Sequence, residues 1–138
     1  MLARLCKRVN LTRDHAQLWV DYVGLSAPPQ SLQGEPDVIQ ATREELTAAV
    51  GLLSNDVSAA IDFHNAQEST TQISRILLAG PGGSIPGLAG HLADRTGLNV
   101  EVPAPLGALD VGGIAGSGID ERRLTLAAGL ALEEVAAL

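Results

Sequence analysis

Residues 73–88 (ISRILLAGPGGSIPGL) constrain the fold of this chain more than any other stretch. Ile76 to Ala79 is a short apolar run of the kind that forms a buried strand. Gly80-Pro81-Gly82-Gly83 then makes a turn that only small or φ-restricted residues form cheaply. Ser84 is placed to cap a following helix, and Pro86 suits its first turn. A strand that passes through a glycine turn into a helix N-terminus leaves backbone N–H groups at the end of a sheet. Such a place suits an anion or a nucleotide. The same pattern also has a plainer reading, a tight corner with no ligand.

Residues 86–102 extend the turn into a unit. A helix is expected over 86–96, with Leu88, Leu92 and Ala89 facing inward, closed by Gly97. Asn99 to Val102 reads as a second short strand. Strand, helix and strand within about thirty residues make a βαβ unit, so the strands should be parallel and the crossover right-handed. Two strands do not complete an α/β domain. The chain either contributes to a larger sheet or is mainly helical with a two-stranded patch. The first is the expectation, which makes this the C-terminal piece of a larger protein with Met1 at an arbitrary start.

Upstream, the pattern is helical. Residues 2–9 carry Arg4, Lys7 and Arg8 on their wet side, and Asn10-Leu11-Thr12 breaks the helix. Thr12 is a good N-cap for a second helix over 13–23, with His15 at the capping-box position. Ala16, Leu18, Trp19 and Val23 are its apolar positions, and Gly24 ends it. Residues 26–37 (SAPPQSLQGEPD) read as an exposed, mobile loop. From 38 to 69 the pattern is again helical, with Thr42 and Glu45 as a capping box. Leu46, Ala49, Val50, Leu53, Val57, Ala60, Ile61 and His64 recur at three and four, giving one long helix or two parted near Gly51 to Asn55. Downstream, 103–120 is a long loop. Its glycines lack the Lys-Ser/Thr pair of a Walker motif. A final, well-buried helix is expected over 121–137.

Composition narrows the function. A chain of 138 residues allows one domain. Trp19, Tyr22 and Phe63 are its only aromatics and its formal charge is −7, which argues against nucleic acid as a partner. The same charge disfavours reading the first two helices as a DNA-binding helix-turn-helix. Cys6 is alone, so it can build neither an intrachain disulfide nor a thiolate metal site. His15, His64 and His91 show no metal spacing. No apolar run approaches membrane-spanning length, and the basic start has no signal-peptide pattern after it.

The string LLAGPGGSIPGL, followed by an amphipathic helix and a short strand, resembles the adenosine-side motif of actin-like ATPases. The resemblance is to the PilM-type family of type IV pilus assembly proteins, and it spans nearly the whole chain. Val9 to Leu25 resembles the helix that follows the second phosphate loop there, with Trp19-Val20 where a lysine is usual. Residues 56–64 (DVSAAIDFH) stand where the family has a pattern like E-I-x-R-S-L-x-F-F. Ala128-Gly129-Leu130-Ala131-Leu132 resembles its last helix. The fold implied is α/β: the C-terminal portion of an actin-like (ribonuclease H-like) ATPase domain, helix-rich with a βαβ unit. Residues 1–138 would form one such part, with 1–25 a helical lead-in, 26–37 a loop, 38–69 a long helical segment, and 73–138 the βαβ unit plus the final helix.

The resemblance implies a cytoplasmic scaffold of pilus assembly, peripheral to the inner membrane through its partners, which are inner-membrane pilus assembly proteins. Self-association is a further expectation; direct membrane insertion is not. The implied cofactor is ATP with Mg. Gly80, Gly82 and Gly83 would give backbone contacts to the adenosine–phosphate region, and Asp56 a ribose contact. Three departures weaken that site. Ala59 and Ala60 replace the arginine and serine that help hold adenine and ribose, and Pro81 removes one backbone N–H. Neither the family's phosphate loops nor its magnesium and water carboxylates occur in this sequence, so the chain alone lacks a hydrolytic apparatus. The alternative is a non-catalytic interaction module that docks by its final helix and sheet edge.

Overall fold

The computed structural model describes residues 1–67 and 71–104. Four helices and a two-stranded parallel sheet run in the order α1, α2, α3, β1, α4, β2. The final helix expected over 121–137, and the loop before it from 105 onward, lie outside the described residues.

Helix α1 (Leu2–Val9) places Leu2, Leu5, Cys6 and Val9 along one side at helical spacing, and Leu5 is fully buried. Arg4, Lys7 and Arg8 are exposed, as expected. Asn10 ends the helix in the left-handed region (φ 52, ψ 45), a conformation its short polar side chain tolerates. In α2 (Arg13–Val23) the Thr12 hydroxyl accepts the His15 N–H at 3.4 Å, and Gly24 terminates the helix at φ 49. The buried positions are Ala16, Val20 and Val23. Leu18, expected to face inward, is 65% exposed. The sequence has apolar residues around much of this helix; packing against α1 and α3 selects the 16–20–23 face and turns Leu18 outward.

Residues 26–37 are more ordered than their composition suggests. A short 3₁₀ turn covers Pro29–Ser31, and α3 begins at Pro36, inside the expected loop. The Tyr22 hydroxyl accepts the Gln33 N–H at 3.0 Å and donates to the Gln33 carbonyl at 3.1 Å. Gly34 lies under the Trp19 ring, whose Cη2 leaves no room for a Cβ.

Helix α3 (Pro36–Asn65) is one unbroken element of 30 residues. Proline in its first turn and Asp37 beside it suit a helix start. The capping box at Thr42 and Glu45 is therefore not the N-terminus: Thr42 lies within the helix and is fully buried. Gly51 does not split the helix; no described residue packs within 4 Å of where its Cβ would be. The buried residues run from Val38 to Ser54, and beyond them Ala59, Ala60 and Phe63 are exposed.

Strands β1 (Arg75–Leu77) and β2 (Asn99–Glu101) are parallel, with Ile76 opposite Val100. Helix α4 (Leu88–Thr96) joins them, bounded by Gly87 (φ 85) and Gly97 (φ 71). The expected strand–helix–strand unit is thus present, in a chain whose described residues are mainly helical. One core serves all of it: Leu5, Ala16, Val20, Ala41, Leu46, Val50, Leu88 and Leu92, with Leu78 and Val100 of the sheet region packed on its edge.

Candidate nucleotide-side turn

The turn is built by two devices. Gly80 takes φ 82 and ψ −170, a backbone region reserved for glycine. Pro81–Ser84 then winds one 3₁₀ turn, closed by the Gly83 N–H on the Gly80 carbonyl (3.0 Å) and the Ile85 N–H on the Gly82 carbonyl (3.2 Å). Ser84 is not the cap of the helix. Its hydroxyl donates to the Pro81 carbonyl at 2.6 Å and locks the 3₁₀ turn. The N-cap is Gly87, so α4 starts at Leu88, two residues later than expected. The Leu88 and His91 N–H groups are engaged by Ile85 and Gly87.

Gly80, Gly82 and Gly83 therefore share one turn ahead of α4. The Gly83 amide is engaged inside the turn, whereas the Gly82 amide closes none of its bonds. Among the described residues, only the Leu88 side chain comes within 4 Å of a virtual Cβ on Gly82, at 3.8 Å. Asp56 stands on another element, exposed on α3. Its neighbour Asn55 accepts from Arg95 at 3.0 Å, which sets this part of α3 level with the last turn of α4. Ala59 and Ala60 lie one turn further along α3, both exposed. Among the described residues no cluster of His, Cys, Asp or Glu is arranged to hold a metal ion. No described helix is long and apolar enough to cross a membrane.

The entry to α4 is pressed against the corner after α2. The Leu25 N–H donates to the Pro86 carbonyl at 2.7 Å. A Cβ on Gly87 would stand 2.6 Å from the Ser26 hydroxyl and 2.9 Å from its amide nitrogen; one on Gly24 would stand 2.7 Å from the Pro86 Cβ. Arg43 of α3 holds the far side of this corner, donating to the carbonyls of Val23 (3.3 Å) and Ala27. Nothing in the sequence singles out Arg43. The Pro86-Gly87 dipeptide is a turn signal, and it outweighs the suitability of Pro86 for a first helical turn.

Ion pairs fasten α1 to α3. Arg8 reaches Glu44 at 2.6 Å, and Arg4 lies 3.0 Å from Glu45, close enough to pair but not aligned as a hydrogen bond. Hydrogen bonding from Gln40, and then from Arg8 together with its charge, holds the Glu44 carboxyl below its ordinary range. Beside this end of α1, a cavity of about 570 Å³ opens between Met1, Leu2, Ala3, Cys6 and Arg13.

No protein-family model matches this chain, and no curated protein matches it.

Proposed function

We propose that this chain is the C-terminal part of a PilM-type, actin-like scaffold of type IV pilus assembly, carrying the adenosine side of an ATP cleft. One observation supports it most: a strand passes through Gly80 and the 3₁₀ turn into α4 and returns as a parallel strand, with α3 packed alongside. That is the arrangement the sequence resemblance implies. In this reading the glycines let the nucleotide approach the backbone, the Gly82 amide offers a donor, and the positive end of α4 favours the phosphate side. Asp56 contributes a ribose contact from α3. The scaffold works in the cytoplasm, beside inner-membrane pilus assembly proteins. Hydrolysis is not assigned to these residues, because the sequence holds neither phosphate loop.

The test is the thermal midpoint of the purified chain with and without millimolar Mg-ATP or Mg-ADP. A nucleotide that binds only the folded state stabilises it by about 2.7 kcal/mol at a hundred times its dissociation constant. A rise with both nucleotides, lost in Gly82→Leu and Gly83→Leu, is expected. A cooperative transition that neither nucleotide moves overturns the adenosine-side reading.

A second reading, a docking module without nucleotide, is favoured by the exposure of Leu52 (63%), Phe63 (71%) and Leu77 (54%). Sedimentation showing concentration-dependent association that ATP does not alter would select it.

A further inference from the structure

We infer that Arg43 is a positioning residue for the glycine turn, acting through the corner after α2. Its functional meaning rests on the nucleotide reading, while its geometry stands without it. A chain of tight contacts links the two. The Arg43 Nη2 donates to the carbonyls of Val23 and Ala27, which bracket Gly24-Leu25-Ser26. That corner meets the entry of α4 backbone to backbone, through Leu25 N–H to the Pro86 carbonyl at 2.7 Å. Neither side has room for a methyl group: Gly24 abuts Pro86, and Gly87 abuts Ser26. A seam without slack passes displacement on rather than absorbing it, since packed contacts are stiff. Gly87 is also the N-cap of α4, and only two residues separate it from the turn Gly80–Ser84. Whatever fixes the corner therefore fixes where the turn's last residues emerge.

The residue type fits the task. Both bonds leave one nitrogen, Nη2, whose two N–H groups are held at fixed angles in the guanidinium plane, whereas a lysine ammonium on a flexible stem would meet the same carbonyls without fixing their arrangement. Arg43 is partly buried and its Nε has no partner among the described residues, so its described hydrogen bonds are concentrated on this corner. The side-chain hydrogen bond that joins α3 to α4 directly, Arg95 to Asn55, lies at the opposite end of α4 from the turn.

Amide hydrogen exchange on the whole chain tests this, comparing wild type with Arg43→Gln and Arg43→Lys. Losing hydrogen bonds from a charged donor should speed exchange roughly tenfold or more in the peptides covering 24–27 and 80–91 in Arg43→Gln, with α1 unchanged. Arg43→Lys should fall between. Acceleration confined to 24–33, with 80–91 at the wild-type rate, overturns the inference. So does uniform acceleration that includes α1, which would mean only a less stable fold. The nucleotide arm is separate. If Mg-ADP raises the wild-type midpoint, Arg43→Gln should weaken nucleotide affinity about tenfold, and unchanged affinity removes the link to the site. If Mg-ADP moves nothing in wild type, the nucleotide reading fails while exchange still decides the seam.

Discussion

The amide of Leu25 donates to the carbonyl of Pro86 at 2.7 Å, and this one hydrogen bond joins the helical lead-in to the unit that carries the glycine turn. Around it the two backbones are in contact at Gly24 and Gly87.

Gly87→Ala is expected to destabilise the chain by about 3 kcal/mol, from a left-handed conformation costing about 1 kcal/mol plus a collision with Ser26 that neither backbone can relieve. Gly97→Ala is the control. Its φ is similar at 71, but no described residue lies within 4 Å of the new methyl, so it should lose only about 1 kcal/mol. Urea midpoints of the two variants measure the difference. Equal losses would mean that the seam imposes no steric limit.

Thr42→Val should stabilise the protein. The Thr42 hydroxyl is fully buried in α3 and has no hydrogen-bond partner among the described residues. Replacing it with a methyl removes a desolvation cost of about 1–3 kcal/mol at nearly constant shape. A raised midpoint in thermal unfolding is the expected outcome; a lowered one would reveal a partner for the hydroxyl. Ser54→Ala, by contrast, deletes a hydroxyl already bonded to the Val50 carbonyl at 2.8 Å, and should gain nothing.

Segment 26–35 should resist protease in the native chain. Tyr22→Phe removes both bonds to Gln33, each worth about 1 kcal/mol, and should raise the cleavage rate there while leaving the global midpoint nearly unchanged. Trp19→Ala should do the same more strongly, since the ring also covers Gly34. Limited proteolysis with mapped cleavage sites reads both.

The Glu44 carboxyl gives a pH signature with a definite sign. Its folded value is depressed below the ordinary 4.5 by Gln40 and by Arg8. Its contribution is therefore full above the unfolded value and is lost as pH falls through the lower, folded one. Arg8→Ala should flatten the acid side of the stability–pH curve below 4.5 and leave its shape near neutrality unchanged. The pair is exposed, so added salt should shrink the difference. Urea titrations across that range, at low and high salt, make the comparison.

Features written in a few adjacent residues were legible in the sequence. Thr12 before α2 and Gly24 and Gly97 after their helices each carry their own signal; the strands fall near the apolar runs, but β1 is Arg75–Leu77 rather than Ile76 to Ala79, and with Leu77 exposed it is not the buried strand expected. The capping box at Thr42 misled because a T-x-x-E string has the same look inside a helix as at its start; Pro36 had already begun the turn. Leu18 and Val20 are both apolar, and only the neighbours of α2 decide which one is covered. At the glycine turn, the residue types were right and their use was different. Ser84 bonds back into a 3₁₀ turn instead of forward into a helix. Arg43 left no trace at all, because its acceptors are carbonyls on a distant corner and any residue supplies a carbonyl.

The Leu25–Pro86 bond also bears on the order of events as the chain folds. Helices α1, α2 and α3 find much of their packing among themselves, so this part of the core can assemble early. The bond to Pro86 closes a loop of about sixty residues and has to wait for α4 to arrive, so its loop-closure entropy is lost late. Contacts made after the transition state govern how fast a protein comes apart more than how fast it forms. A weakened seam should therefore show itself mainly as a faster unfolding limb in stopped-flow chevrons, with the refolding limb close to wild type. The glycine pair that admits this contact would then act as a brake on unfolding.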